Sequence, residues 1–303
     1  MSTTESYSVD PLEDSETICV CCDYEMPSDE EYCPECQTPA EITQSVTSRG
    51  GVTPHFISVV GPSNAGKTVY LGLLLDMLCG GAKNLKGVPN GAFSISLQEQ
   101  VISALESRQF PEKTPNESDL WKWLHCVVTD SSKRQPKQVD FVAPDFAGEA
   151  IATELEQPGT YPAVSHIVER TSAFLLLCDS AEVRDNGARE DLFAMKLGSY
   201  ISQRQGLAEL SKSRDLTPAI AVVFTKSDTC PEAAENPTKF MANNMPRFRD
   251  YCEQNFPRHA VFSASVVGAS ALLTNDMGTQ ARVPFHIQPR GVIEPLHWAI
   301  QNS

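Results

Sequence analysis

Past residue 54 the chain alternates between short apolar runs and longer stretches in which apolar residues recur at helical spacing. The runs His55–Val60, Trp121–Thr129, Val139–Pro144, Ala173–Cys178, Ala219–Phe224 and Ala260–Phe262 read as strands. Lys67–Cys79, Leu97–Arg108, Arg189–Ser211, Thr238–Gln254 and Ile293–Gln301 read as helices. Ala173–Cys178 and Ala219–Phe224 are apolar at every position, as expected of strands covered on both faces. This order predicts an α/β domain, a mainly parallel sheet flanked by helices, over residues 54–303. The first 53 residues break the pattern. Residues 1–16 are polar and acidic and predict a disordered tail. Residues 17–38 hold a cysteine cluster, and 39–53, with a glycine pair near the end, have the composition of a linker.

Composition refines this outline. Hydrophobic residues make up 41% of the 303, enough for a large core. The net charge is −15, concentrated at the start: residues 1–48 carry twelve acids and no Lys or Arg, and the remainder 27 acids against 24 bases. Nucleic-acid binding is not expected, because phosphate recognition needs clustered cations. The chain shows no apolar run near the roughly 18 residues of a membrane span and no secretory leader, so a cytoplasmic address is expected.

Of the ten cysteines, five crowd into Cys19–Cys36. Cys19, Cys22, Cys33 and Cys36 form two C-x-x-C turns ten residues apart, the spacing of a structural zinc ribbon with four thiolate ligands. Cys21 is an alternative to Cys22, and a redox pair, disulfides or an iron–sulfur cluster are the competing readings. The segment between the turns has too few aliphatic residues for a core, so Zn²⁺ would supply much of its folding energy. An acidic ribbon without Lys or Arg suits protein docking better than nucleic acid. The six histidines show no paired metal spacing, and Trp121 and Trp123, flanking Lys122, read as packing residues.

Gly61-Pro62-Ser63-Asn64-Ala65-Gly66-Lys67-Thr68 matches G-x-x-x-x-G-K-[ST] in full, between an apolar run and a helical segment beginning at Val69. Such a loop turns successive N–H groups toward phosphate oxygens at a helix N-terminus. Lys67 would reach the β- and γ-phosphates, and the Thr68 hydroxyl would ligate Mg²⁺. Asp145-Phe-Ala-Gly148-Glu149, Thr225-Lys226-Ser227-Asp228 and Ser263-Ala264-Ser265 follow in order, each at the end of a candidate strand.

These motifs resemble those of the Ras-like, translation-factor-related P-loop GTPases, over about residues 54–303. The resemblance implies a GTPase fold preceded by the ribbon, GTP and GDP as ligands, Mg²⁺ held by Thr68, Asp145 and a switch threonine, and Gly148 N–H on the γ-phosphate. Asp228 would accept guanine N1–H and N2–H₂, a pairing adenine does not offer. Lys226 would lie along the base, Ala264 N–H would meet O6, and Thr225 stands where relatives more often carry Asn. The switch threonine is expected at Thr114, in Phe110-Pro-Glu-Lys-Thr-Pro, with Thr129 second. The 78 residues between Lys67 and Asp145 leave room for an extra helix near Ser94–Arg108.

Many relatives have Gln where this chain has Glu149, which predicts slow hydrolysis that awaits a partner. Arg108 and Arg134 flank the switch region and are candidates for a cis arginine. The ribbon combined with GxxxxGKT, FPxKT, DxAGE and TKSD looks like prokaryotic double-GTPase and GTPase-associated-system proteins. That implies a molecular switch in a multi-protein signalling or defence system, with protein partners such as another GTPase, an activator or an effector. A nucleotide-binding scaffold with negligible turnover and a P-loop ATPase are the competing classes.

Overall fold

The computed structural model describes residues 17–27, 29–49, 54–207, 217–274 and 280–303. The expected tail 1–16, residues 50–53 of the expected linker and positions 208–211 of one predicted helix lie outside them.

The chain begins with two very short antiparallel strands, β1 (Thr17–Ile18) and β2 (Glu25–Met26), around the cysteine turns. Helix α1 (Ala40–Ser48) follows, where linker composition predicted an irregular connector. Its Ala40, Ile42, Thr43 and Val46 are buried, so spacing at i, i+3 and i+6 makes one packed face out of a weakly apolar segment. The body continues with β3 (His55–Val60), α2 (Lys67–Gly80), β4 (Leu85–Pro89), α3 (Gly91–Glu106), β5 (Trp123–Asp130), β6 (Lys137–Pro144), α4 (Gly148–Glu156), α5 (Pro162–Arg170), β7 (Ala173–Asp179) and α6 (Ser180–Arg204). Then come β8 (Ala219–Thr225), α7 (Pro231–Glu235), α8 (Pro237–Asn244), α9 (Pro246–Asn255), β9 (His259–Ser263), the hairpin β10 (Ser265–Thr274) and β11 (Gln280–Arg290), and α10 (Ile293–Asn302).

Seven strands form one sheet in the order β4-β5-β6-β3-β7-β8-β9. From β6 to β9 every pairing is parallel, while the β4–β5 and β5–β6 pairings are antiparallel. Alternation along the strands separates two cores. Phe56, Val60, Phe174, Leu176, Val222 and Phe224 face α4, α5, α6, α8, α9 and the cysteine module. Ile57, Val59, Leu175, Leu177, Ala221 and Val223 face α2, α3 and α10. A residue period of two thus serves both layers, which is why β7 and β8 are apolar up to their last residues, Asp179 and Thr225. Among the described residues no helix is long and apolar enough to cross a membrane.

Several boundaries differ from expectation for identifiable reasons. The single helix predicted over Thr238–Gln254 is two, because Pro246 cannot donate a backbone bond within a helix and instead starts α9. The predicted Trp121–Thr129 strand starts at Trp123, after a short turn at Ser118–Leu120. The room before Asp145 is filled by both β4 and α3.

Candidate functional site

The parallel strands point their carboxyl ends to one edge, where an α/β sheet places its ligand. The loop Gly61–Gly66 leaves β3 there. Gly61 has φ +150° and sits so close to β7 that a Cβ would lie 2.3 Å from Leu177 O. Lys67, 6% exposed, donates from Nζ to Gly61 O at 3.0 Å and Pro62 O at 2.9 Å, so its ammonium curls into its own loop. Burial pulls its pKa down to about 8, against the upward pull of Asp145 and Glu149.

Three residues from separate segments meet beside it. Thr68 Oγ1 lies 2.9 Å from Asp145 Oδ2, Thr114 Oγ1 donates to the same oxygen at 2.8 Å, and the two hydroxyls are 2.9 Å apart. Asp145 is 1% exposed; burial pushes its carboxyl up, against the bonds from Thr114 and Thr68 and the Lys67 charge. Two hydroxyls and a carboxylate are the hard oxygen donors that Mg²⁺ prefers. Thr129, the second choice, lies across from Gln138 near the far end of β5 and β6 and is not part of this group. Gly148 packs on the phosphate loop so tightly that a Cβ would be 2.4 Å from Ser63 N. Glu149, opening α4, accepts a bond from Ser63 Oγ at 2.9 Å.

The base motif is tied to the same loop. Thr225 Oγ1 lies 2.9 Å from Ala65 O and 3.2 Å from Cys178 O, and Lys226 Nζ donates to Asn64 O at 2.8 Å and pairs with Asp179 Oδ2 at 2.6 Å. Ser265 Oγ donates to Asp228 Oδ1 at 2.8 Å. Ser227, Asp228, Ser263 and Ser265 line a cavity of about 470 Å³, together with Arg290 and Glu294. Ala264 N–H, expected at guanine O6, donates here to Phe224 O at 2.8 Å, directly after the last β8–β9 pair at Ser263. Pro62, Ser63 and Val69 are half-buried, and Asn64 is exposed with φ +68°.

Residues 55–282 match the family Double-GTPase 2. The chain belongs to that family. No curated protein matches the sequence. Among solved structures, the signal recognition particle receptor SRb-GTP/SRX complex of Chaetomium thermophilum is similar at 14% identity and a TM-score of 0.39, over 72% of this chain and 94% of that one. The S. cerevisiae Ski7 GTPase-like domain, bound to GDP and inorganic phosphate, is similar at 11% identity and a TM-score of 0.38, over 78% of this chain and 47% of that one.

The double-GTPase body carries the cysteine module on its α5 side. The Sγ atoms of Cys19, Cys22, Cys33 and Cys36 all lie within 4.8 Å of one another, with Cys19–Cys36 at 3.5 Å and Cys22–Cys33 at 3.4 Å. Both turns repeat one design: Asp23 N–H bonds Cys19 O, Gln37 N–H bonds Cys33 O, and Asp23 and Gln37 have φ of 60° and 59°. Hydrogen bonding from Cys22, Cys33 and Cys36 holds the Cys19 thiol far below its ordinary pKa. Four converging sulfurs of this kind fit a zinc ribbon. Cys21 is outside the cluster and gives its backbone N–H to Cys19 Sγ at 3.4 Å. All ten cysteines are free, against the disulfide reading.

Sequence reasoning missed the residues that support this double-GTPase pocket. Asp179, the last residue of β7, caps α6 and pairs with Lys226; its sign is an acid directly after the apolar run Ala173–Cys178. Trp121 donates from Nε1 to Pro115 O at 3.0 Å and packs edge-on against Phe146, so it fastens the Thr114 loop to the segment after Asp145. Glu154 is buried under bonds from Gly159 N, Tyr161 N, Ser165 Oγ and Tyr200 OH, a network with no signal in local sequence.

Proposed function

We propose that this GTPase-family chain binds GTP and GDP with Mg²⁺, hydrolyses GTP, and acts as a switch among protein partners. The reading is carried by the convergence of Thr68, Thr114 and Asp145, 31 to 77 residues apart in sequence, beside the buried ammonium of Lys67. In the nucleotide-loaded chain Lys67 would exchange its two carbonyl partners for phosphate oxygens. Backbone N–H groups of Ser63 to Thr68 would hold the phosphates, and Gly148 N–H the γ-phosphate. Mg²⁺, when bound, neutralises charge on the β- and γ-phosphates. Thr114, held by the γ-phosphate end, would relax after hydrolysis, which is the order-to-disorder change that makes a switch. Asp228, held by Ser265, would read the guanine donors. The zinc module would be structural, since four thiolates leave no open position.

Ten unbridged thiols suit the cytoplasmic address, and the motif set suits a prokaryotic signalling or defence system with another GTPase, an activator or an effector as partner. Titration with mant-GTP, mant-GDP and mant-ATP tests the core of this. Guanine forms should bind at least about 100-fold more tightly than ATP, and Asp228→Asn should remove most of that preference. Equal affinity for ATP and GTP would refute guanine selection. Phosphate release under single turnover then separates a switch from a scaffold, and capture of protein partners by GTP-analogue-loaded but not GDP-loaded chain supports the switch.

A further inference from the structure

Glu149 places a carboxylate against the phosphate loop, where it accepts from Ser63 Oγ, and a γ-phosphate bound in that loop would be repelled by it unless a cation stands between them. The structure holds one nearby. Lys113 precedes Thr114, whose hydroxyl is fixed by Asp145 and Thr68, and its Nζ lies 3.6 Å from Glu149 Oε1. The same oxygen accepts the bond from Ser63 Oγ. Three segments therefore meet at this carboxylate: the phosphate loop, the loop to Thr114 and the first turn of α4.

The Lys113–Glu149 pair is loose, with side chains 68% and 48% exposed. A pair so exposed contributes little to stability and exchanges partners readily. The other cations at this edge are committed elsewhere: Lys226 is held by Asp179 and Asn64 O, Lys122, whose charge also acts on Asp145, donates to Gln100 Oε1, and Lys67 belongs to the loop itself. Arg134 lies in the β5–β6 turn, before β6, whereas Asp145 follows it; eight strand residues separate the ends by about 26 Å. Arg108 ends α3 in an exposed left-handed turn, with no bond to the phosphate loop among the described residues.

We propose that Lys113 is a catalytic residue for GTP hydrolysis, its ammonium passing from Glu149 to a γ-phosphate oxygen when GTP is bound. This rests on the GTPase reading. Glu149, released from the lysine, accepts a hydrogen bond from the attacking water. The water oxygen forms its bond to Pγ as the bond from Pγ to the β–γ bridging oxygen breaks, and GDP departs with that electron pair. The water's protons end on inorganic phosphate and solvent. Charge spread over the γ-oxygens in this loose transition state is what the Lys113 ammonium stabilises. Lysine acts here as a point charge, so arginine can replace it in part.

Single-turnover hydrolysis of Mg·GTP by the full chain, Lys113→Gln, Lys113→Arg and Glu149→Gln tests this, with mant-GDP affinity measured in parallel. Lys113→Gln should slow hydrolysis on the order of 10²-fold, as expected on removing one charge-stabilising donor, with GDP affinity within about twofold of wild type. Lys113→Arg should recover most of the rate. In Lys113→Gln/Glu149→Gln the two effects should be clearly less than multiplicative. An unchanged rate in Lys113→Gln overturns the proposal, as does a wild-type chain that binds Mg·GTP and does not turn it over; the binding reading survives both. A chain that binds no guanine nucleotide refutes the reading beneath it instead.

Discussion

In the body, β3, β7 and β8 bury aliphatic side chains on both faces, and α2 adds Leu71, Leu73, Leu74, Leu75 and Leu78 to one of the two cores. In the cysteine module, Val20 and Met26 are the buried aliphatic residues described between Thr17 and Thr38, and Ile18 is 58% exposed. Four thiols occupy the place where the body has hydrocarbon. Stability in the body is therefore distributed over many contacts, each worth little alone, while in the module it is concentrated in one group. The seam between them shows a third arrangement. Arg49, one residue beyond α1, pairs at 3.1 Å with Asp140 on β6, which also bonds His125 Nε2 at 2.9 Å. Asp140 is fully buried; at the periphery of the same seam, Glu35–His166 and Asp23–Arg170 are exposed pairs at 3.8 Å.

The sharpest way to break the comparison is to look for the metal that four converging thiols fit, and to remove it. The purified chain should carry one Zn²⁺. Chelation, or Cys33→Ser, should remove on the order of 10 kcal/mol of apparent metal-binding free energy from the module. Limited proteolysis should then cut within residues 17–38 while the body keeps its far-ultraviolet circular dichroism. A zinc-free chain equally resistant to protease before and after chelation would show that the module does not depend on metal.

The seam is the next test. Arg49→Met leaves a buried carboxylate with His125 Nε2 as its remaining described side-chain partner, and should cost about 3 kcal/mol of stability in urea unfolding, the low end for breaking a buried pair. Glu35→Gln, at an exposed pair, should leave the unfolding midpoint where it was. Equal responses from the two variants would mean that burial does not rank these contacts.

How much of this was legible in the sequence follows the same division. The glycine-rich loop, Asp145 and the four clustered cysteines could be singled out in the sequence because their chemistry fixes residue types at short spacing, with a glycine at φ +150° in the loop and two C-x-x-C turns before it, whereas Thr114 was singled out through the family resemblance and its place in a loop. The buried strands were readable from apolar runs, since they face two cores. Helix α1 was not, because its amphipathic face has only Ile42 and Val46 as large apolar residues and acquires meaning on the surface it covers. Nor were β4 and the β10–β11 hairpin, whose pairing partners lie on other strands rather than in local pattern. The commitment of Ala264 N–H to Phe224 was hidden for a related reason: a motif names the residue, while strand pairing decides which of its groups are free. Long-range side-chain pairs such as Asp179–Lys226 and Lys113–Glu149 depend on topology alone.

The smallest expected effect lies where the body's packing meets the loop that carries Thr114. The loop before β5 is mostly exposed, and two kinds of contact locate Thr114 within it: its own bond to Asp145, and the bond from Trp121 Nε1 to the neighbouring Pro115 O. Trp121 is itself 2% exposed, edge-on to Phe146 with centroids 5.3 Å apart and stacked near Tyr161 at 6.2 Å. Trp121→Phe keeps an aromatic ring in that slot and deletes the N–H donor, leaving a half-exposed loop carbonyl that water can reach. The loss of one such bond is about 1 kcal/mol, or about fivefold. On the proposed function, which puts Thr114 at the γ-phosphate end, it should fall on the affinity for Mg·GTP and spare that for GDP. Equal weakening of both nucleotides would make Trp121 a residue of general packing, and no change in either would mean that Thr114 holds its place through Asp145 without help from the core.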